Sequence, residues 1–426
     1  MKNLQEEIKN KSVLLLGLGR EGLSSYQWLR KAFPEKELGI ADGNPAVKQK
    51  LQEDVNLQFH LGEKYLDSIK AYDIIFKSPG ISLKDYACSN REKITSQTDL
   101  FLRYYGRQTI GVTGTKGKST TSSLIAHILK TNGKKVVLLG NIGIPAFNRL
   151  DQITEDTVVV FEMSAHQLEY VHHSPKIAVL LNIFPEHLDH FKTFDAYKAA
   201  KLNIAKFLGK DDLLVISENL YGEFSGLQPE VSYYEKGRDI DPDTLLLKGS
   251  HNLNNVKAAI LAVKPFGVDY MSALKATSSF KPLPHRLEYV GKYGGIHFYN
   301  DSISTIPEST VAALNAVDGV DTLILGGFDR GLDFSKLVDY LAIHTVSNLI
   351  FTGPAGKKMI VLFKSNPEIK SALFEVASLG DAFKIIAKVT SKEGVCLLSP
   401  AAASYDEFHN FEHRGDAFKR LARQMP

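Results

Sequence analysis

Cysteine is nearly missing from this sequence. Cys88 and Cys396 are the pair that its 426 residues contain, far apart and without the spacing of metal ligands. No disulfide framework or zinc ribbon can be built from them, which suits a reducing cytoplasm. Charge imbalance is small as well: a formal +3 gives no argument for nucleic acid or an anionic membrane as partner. No apolar run is long enough to cross a bilayer. The amino-terminal MKNLQEEIKN is charged and leads into only a short apolar stretch, unlike a secretory signal. What remains is globular material: 44% hydrophobic and 23% charged residues, fitting a soluble protein of roughly two to four domains.

The most informative stretch is 111–120, GVTGTKGKST. It follows a strand-like run, Gln108-Thr109-Ile110, and precedes a helical pattern, TSSLIAHILKTNG. A glycine-rich turn at a helix N-terminus presents successive backbone N–H groups at the positive end of the helix dipole, a geometry that holds phosphate. Gly114, Thr115, Lys116, Gly117 and Thr120 would form such a turn. Lys118 would reach β- and γ-phosphate oxygens, and the Ser119 hydroxyl would bind Mg²⁺. Val112 stands where the P-loop pattern has its first glycine, and a solvated Gly/Lys turn is the plain alternative. Use of ATP is expected.

Ahead of it, SVLLLGLG (12–19) reads as a buried parallel strand entering a turn and a helix. Gly17, Gly19 and Gly22 spell G-x-G-x-x-G, and Asp42 follows a second strand about 20 residues later. Alone, this is a dinucleotide fingerprint, but the same turn accepts any pyrophosphate and is often only a tight turn. YDIIFKSPGISL (72–83) adds a strand ending in Ser78-Pro79-Gly80, which completes the pattern of a compact α/β domain.

Beyond the phosphate turn, GNIGIPAF (140–147) carries glycines that let backbone approach a ligand closely. TVVVFEMSAHQLEYV (157–171) is a strand ending in Glu162, at the edge where Mg²⁺ would sit in a P-loop fold; a Glu doing no chemistry is equally natural there. KIAVLLNIFPEHLDHF (176–191) ends in Glu186, His187, Asp189 and His190, a candidate metal or phosphate cluster with a solvated loop as the alternative. Lys198 and Lys201 on the next helix merit no role by themselves. HNLNNVKAAILAV (251–263) starts a helix with Asn252 and Asn255, and asparagine there is often only a cap. KPLPHRLEYV (281–290) marks a boundary, after which GIHFYNDSIST, TLILGGFDRG and GVCLLSPAAAS each read as a strand running into a polar end.

In order along the chain, GVTGTKGKST, GNIGIPAF, FEMSAHQLE, LNIFPEHLDHF, YKAAKLN, HNLNNVKAA, LPHRLE, NDSIST, LGGFDRG and LLSPAAASYDEFHNFEHRG resemble the motifs of the Mur ligases, the ATP-dependent amide-bond formers of peptidoglycan precursor synthesis. The resemblance covers essentially the whole chain, and SAHQLE with SYDEFHNFEHRG resembles the glutamate-adding branch. It implies an α/β protein of three domains. A Rossmann-like domain (1–106) would bind the UDP end of the substrate, a P-loop ATPase-like domain with a parallel sheet (107–282) would bind ATP, and a second Rossmann-like domain (283–426) would bind the amino acid.

The resemblance turns the G-x-G-x-x-G into a diphosphate turn and implies substrate contacts at Gly17, Gly19, Arg20, Glu21, Gly22 and Asp42. Further contacts fall at Ser78, Pro79 and Gly80, and at Asn141, Ser164, His166 and Gln167. Asn252, Asn255, His285, Arg286 and Asp301 would surround the nucleotide, and Thr305, Arg330, Ser404 and Phe411 would hold glutamate. Lys118, His187 and Lys201 would be the catalytic groups. Ser119, Glu162, His187 and a carbamylated Lys201 would hold Mg²⁺ at a pair of sites. The implied substrates are ATP, glutamate and UDP-N-acetylmuramoyl-L-alanine, handled in the cytoplasm by a monomer that binds neither nucleic acid nor membrane.

One position departs from the pattern. Ile303 in DSIST stands where the glutamate ligases usually have lysine, so a cation beside the amino-acid pocket must come from elsewhere, with Arg330 the candidate. L-Glutamate is therefore weighed against D-glutamate. A folylpolyglutamate synthase fits the carboxy-terminal motifs poorly, and a Mur-like subunit using glutamine-derived ammonia would carry a cysteine cluster. An NAD-dependent oxidoreductase leaves the P-loop without a task. A non-catalytic nucleotide-binding regulator has no need of Lys118, Glu162, His187 and Lys201 together.

Overall fold

The computed structural model describes every residue except Met1, Gln52, Lys84, Asp85, residues 87–90, residues 225–228, Gly237 and Lys248, and omits the side chains of Lys2, Asn3, Arg91, Asp189, Ser250 and His251. Cys88 and the Asp189 carboxylate, both singled out in the sequence, thus lie outside the described residues.

Short apolar runs bounded by turns seed three sheets. In the first, β1 (Val13–Leu16), β2 (Leu38–Asp42), β3 (Leu57–Leu61), β4 (Ile74–Lys77) and β5 (Ile94–Thr95) run parallel in the order β3-β2-β1-β4-β5. The VLLL run of β1 is buried throughout, as a strand covered on both faces must be. Winding reverses beside β1, which opens a crevice at the carboxyl ends of β1 and β4.

The second sheet is also parallel. It orders β6 (Thr109–Thr113), β7 (Val136–Gly140), β8 (Val158–Glu162), β9 (Ile177–Leu180), β10 (Leu213–Ile216) and β11 (Glu230–Tyr233) as β11-β10-β9-β6-β8-β7. Register sets Val112 opposite Glu162 and Thr113 opposite Leu180, so the turn after β6 opens beside the ends of β8 and β9.

The third sheet orders β12 (Glu288–Tyr293), β13 (Ile296–Asn300), β14 (Val320–Gly326), β15 (Asn348–Thr352), β16 (Ala372–Val376) and β17 (Val395–Leu398) as β12-β13-β17-β14-β15-β16. It is parallel except for the β12–β13 pair. The expected α/β class with parallel sheets is thus observed.

By packing, the chain divides into two compact units. One spans Met1–Thr244 and His251–Phe280, the other Leu245–Ser250 and Lys281–Pro426. The first unit holds the first two sheets, which share a core: Phe101 of the helix Gln97–Tyr105 meets Phe161 of β8 edge-on, with centroids 5.3 Å apart. Residue 106 therefore falls inside a single packed body. The second unit holds the third sheet. Among the described residues no helix is long and apolar enough to cross a membrane.

Candidate active site

The strand β6 is buried from end to end and carries the chain straight into the turn at Gly114. Gly117, at φ +87°, caps the helix Lys118–Thr131, and no described side chain caps that helix in its place. Its first backbone N–H groups are therefore left for a ligand. A Cβ on Gly117 would collide with Asn255 Oδ1, so both angle and space demand glycine. Asn255 in turn donates to Asn252 Oδ1 at 3.0 Å, which steadies it against the turn. The loop after β9 holds the other side. Asn182 accepts from Thr115 N–H through its backbone oxygen and from Lys116 N–H through its side chain, both at 2.8 Å. Lys116 Nζ pairs with Glu186 at 2.8 Å.

Two lysines converge on this turn. Lys118 Nζ donates to the carbonyl oxygens of Gly114 and Thr115 at 2.9 and 3.0 Å. Lys201 Nζ, from the helix Phe194–Leu202, donates to the same Gly114 oxygen at 2.7 Å. Burial, reinforced by the charge of Lys118, lowers the pKa of Lys201 from 10.5 to about 6, so its amine is neutral at pH 7.

Glu162 is fully buried at the end of β8. Its Oε1 accepts from Asn141 Nδ2 at 2.7 Å, while Oε2 has no hydrogen-bond partner among the described residues. A buried carboxylate oxygen without a donor is costly, and a cation is the partner that such an oxygen suits. His187 sits in the left-handed region at φ +57°. Its ring lies 4.9 Å from that of His166, which lies 4.3 Å from that of His190. Among the described residues no group of three His, Cys, Asp or Glu side chains stands ready around a metal position, so a cation here needs ligand oxygens or Lys201 as well. Lys118, Asn141, Ser164, His166, His187, Tyr197 and Lys201 join Pro79 and Gly80 around a cleft of about 450 Å³.

Comparison with known proteins identifies the family. Residues 11–95 match the Mur ligase MurD-like N-terminal domain and residues 112–225 the Mur ligase middle domain. The UDP-N-acetylmuramoylalanine–D-glutamate ligase of Clostridium kluyveri is 34% identical, with 99% of each chain covered. That of Acetivibrio thermocellus is 31% identical, covering 100% of this chain and 99% of its own. The chain belongs to the Mur ligase family. The fold agrees with MurF ligase from Thermotoga maritima, solved in complex with ADP, at TM-score 0.59 and 17% identity over 99% of this chain and 97% of that one. UDP-N-acetylmuramate-alanine ligase from the same organism gives 0.58 and 18% over 96% and 99%.

Within this Mur ligase, several residues expected at the UDP end shape the crevice of the first sheet. Gly17, at φ +88°, turns the chain after β1, and its carbonyl accepts from Ser78 Oγ at 2.6 Å. Gly22 packs against that carbonyl with no room for a side chain. Asp42 accepts from Leu18 N–H at 2.8 Å. Gly19 and Arg20 are exposed, and the Arg20 guanidinium approaches Gly143. Glu21 and Gln167 are bonded to each other, Gln167 Nε2 donating to Glu21 Oε1. Gln167 also closes a capping box with Ser164 at the start of the short helix Ala165–Leu168. Burial pushes the Glu21 carboxyl up to about 7.

The remaining expected residues belong to the second unit. His285, at φ +64°, is buried with Nδ1 2.9 Å from Asn300 Nδ2, and Arg286 is half-buried. Asp301 accepts from Ser399 Oγ at 2.9 Å and from Leu287 N–H at 3.2 Å; burial raises its pKa to about 6. Ser404 is buried and Thr305 half-buried. Arg330 is exposed, its guanidinium 5.4 Å from the Tyr405 ring centroid. The Phe411 carbonyl accepts from Ser302 Oγ at 2.8 Å.

Two organising residues escaped the sequence reading. The Tyr197 hydroxyl lies 3.0 Å from Thr115 Oγ1, one helical turn before Lys201, and the spacing in YKAAK was its signal. Arg414, 4% exposed, donates to the carbonyls of Ser302, Gly326, Ala402 and Ala403 and so ties together the ends of β13, β14 and β17. It lies within the motif SYDEFHNFEHRG, but nothing local in that motif shows which carbonyls it would gather.

Proposed function

We infer that the chain is an ATP-dependent, ADP-forming ligase that joins D-glutamate to UDP-N-acetylmuramoyl-L-alanine in peptidoglycan precursor synthesis. The observation that carries the reading is the convergence of Lys118 and Lys201 on the Gly114 carbonyl, in the sheet that holds the half-satisfied Glu162 carboxylate.

A carboxylate acylates poorly because its leaving group would be oxide. The γ-phosphoryl is therefore transferred to it first: the bond to the β-phosphate oxygen breaks and one to the carboxylate oxygen forms. Lys118 and the helix N–H groups stabilise the charge spread over the moving phosphoryl. The glutamate amine then attacks the acyl carbon, gives up a proton, and expels phosphate. Both steps need reacting atoms held about 3–3.5 Å apart, which is the task of the residues around the cleft.

Ser119, Glu162 and His187 would hold Mg²⁺, which when bound neutralises phosphate charge; Glu162 Oε2, buried without a hydrogen-bond partner, supports this reading. The neutral Lys201 amine suits addition of CO₂, in which an N–C bond forms and a proton leaves to give an anionic carbamate. The functional divisions proposed are 1–106 for the UDP end, 107–282 for ATP and 283–426 for glutamate, in a monomeric cytoplasmic enzyme. The L-glutamate alternative raised by Ile303 is not favoured, since the relatives at 31–34% identity are named for D-glutamate.

The test is phosphate release from ATP with UDP-N-acetylmuramoyl-L-alanine and either enantiomer of glutamate. Release with the D form alone is expected; release with the L form alone, or with neither, overturns the reading.

A further inference from the structure

Lys77 and Glu169 have no part in the reaction described above. Lys77 ends β4, directly before the Ser78-Pro79-Gly80 turn, and is 4% exposed. Glu169 directly follows the helix Ala165–Leu168. Lys77 Nζ stands 3.6 Å from Glu169 Oε2 and 4.8 Å from the Tyr170 ring centroid. The same Oε2 lies 3.3 Å from His190 Nε2, so one carboxylate oxygen serves a cation from the first sheet and an imidazole from the segment after β9. From His190 the contacts continue ring to ring through His166 to His187. A second tie two residues away, Gln167 to Glu21, reaches the helix Arg20–Ala32 that follows β1. Burying a lysine this deeply is unfavourable unless its charge is matched, and Glu169 supports the charged form against the burial that draws the Lys77 pKa down to about 8.

We propose that Glu169 is a positioning residue: pinned by Lys77, it holds His190 and, through His166, which meets both rings edge-to-face, fixes the His187 ring, registering the Ser78-Pro79-Gly80 turn against the imidazole beside the P-loop. The proposal rests on the ligase reading, in which His187 is a metal ligand. Partners behind a ligating histidine orient its ring, and their loss typically costs about 10–100-fold in metal affinity or activity. Nothing in the motif SAHQLE separates Glu169 from an ordinary solvated carboxylate.

The test compares Glu169→Gln, Lys77→Met, the double variant, His190→Gln and His190→Ala in the full chain. Two readouts are taken: steady-state phosphate release, and affinity for Mn²⁺ alone from the electron paramagnetic resonance of the free ion. Release by the parent checks the ligase reading separately, because Mn²⁺ binding needs no turnover. Glu169→Gln is expected to lower kcat about 10–100-fold and weaken Mn²⁺ by a similar factor, with KM for the UDP substrate changed less than about twofold. His190→Gln, which keeps a donor, retains most of both properties, whereas His190→Ala resembles Glu169→Gln. Lys77→Met added to Glu169→Gln costs nothing further. Parental Mn²⁺ affinity in a folded Glu169→Gln protein overturns the proposal, as do equal losses in the two His190 variants or additive losses in the double variant. Should Glu169→Gln fail to fold, the His190 pair decides.

Discussion

Lys118 and Lys201 share one acceptor, the carbonyl oxygen of Gly114, at 2.9 and 2.7 Å. Two ammonium groups on one oxygen repel each other, and the neutral form of Lys201 relieves that repulsion. An anionic group in its place would attract Lys118 instead. Lys201→Ala is accordingly expected to be inactive and to regain part of its phosphate release in high formate or acetate. A variant that stays inactive at every carboxylate concentration, while keeping its fold by circular dichroism, removes the carbamate from the mechanism.

Glu162→Gln keeps the shape of the side chain and the possibility of bonding Asn141 but removes the negative charge. Turnover should fall by about 100-fold or more. The thermal midpoint without ligands should stay close to the parent's, because a buried negative charge is removed while the amide nitrogen that replaces Oε2 is left equally unmatched. Thermal melts with and without Mg²⁺·ATP check this: the parent should be stabilised by the ligand and the variant should not.

Gly117→Ala places a Cβ against Asn255 on a backbone at φ +87°. A loss of about 1–3 kcal/mol in stability is expected, together with weakened ATP binding by calorimetry. Gly19→Ala is the comparison, since a Cβ there meets nothing within 4 Å. Its stability should match the parent.

Asp301→Asn tests the buried carboxyl of the second unit. Its native pKa is raised to about 6 from 3.8, so between those values the native state binds a proton that the unfolded chain has released. The parent therefore loses stability as pH rises from about 4 to 6, by up to about 3 kcal/mol, and the variant lacks this loss. The gap in melting temperature should move in favour of the Asp301→Asn variant across that window and stay level above it.

Much of the site could be read along the chain because its chemistry is local. The glycine-rich turn after β6, Glu162 at a strand end and the helix carrying Lys201 are each contained within a few residues, and β7, β8 and β9 are largely apolar runs. What stayed hidden depends on pairings between distant residues. Glu169 finds Lys77 across 92 positions, and Arg414 gathers carbonyls from 302, 326, 402 and 403. Glu21 and Gln167 are bonded to one another across 146 positions, a pairing that neither stretch shows by itself. The shared core around Phe101 and Phe161 was equally invisible, because each aromatic looks like ordinary filling for its own domain.

That shared core makes the first unit a gauge. Sheet one, with the glycine turn after β1, and sheet two, with the glycine turn after β6, are packed as a single body, so the span between Gly80 and Lys118 across the cleft is set before any substrate arrives. A substrate is then measured by its length as well as by its groups. Shortening the nucleotide arm should lower kcat along with affinity, since a carboxylate anchored at the wrong distance stops short of the phosphoryl group.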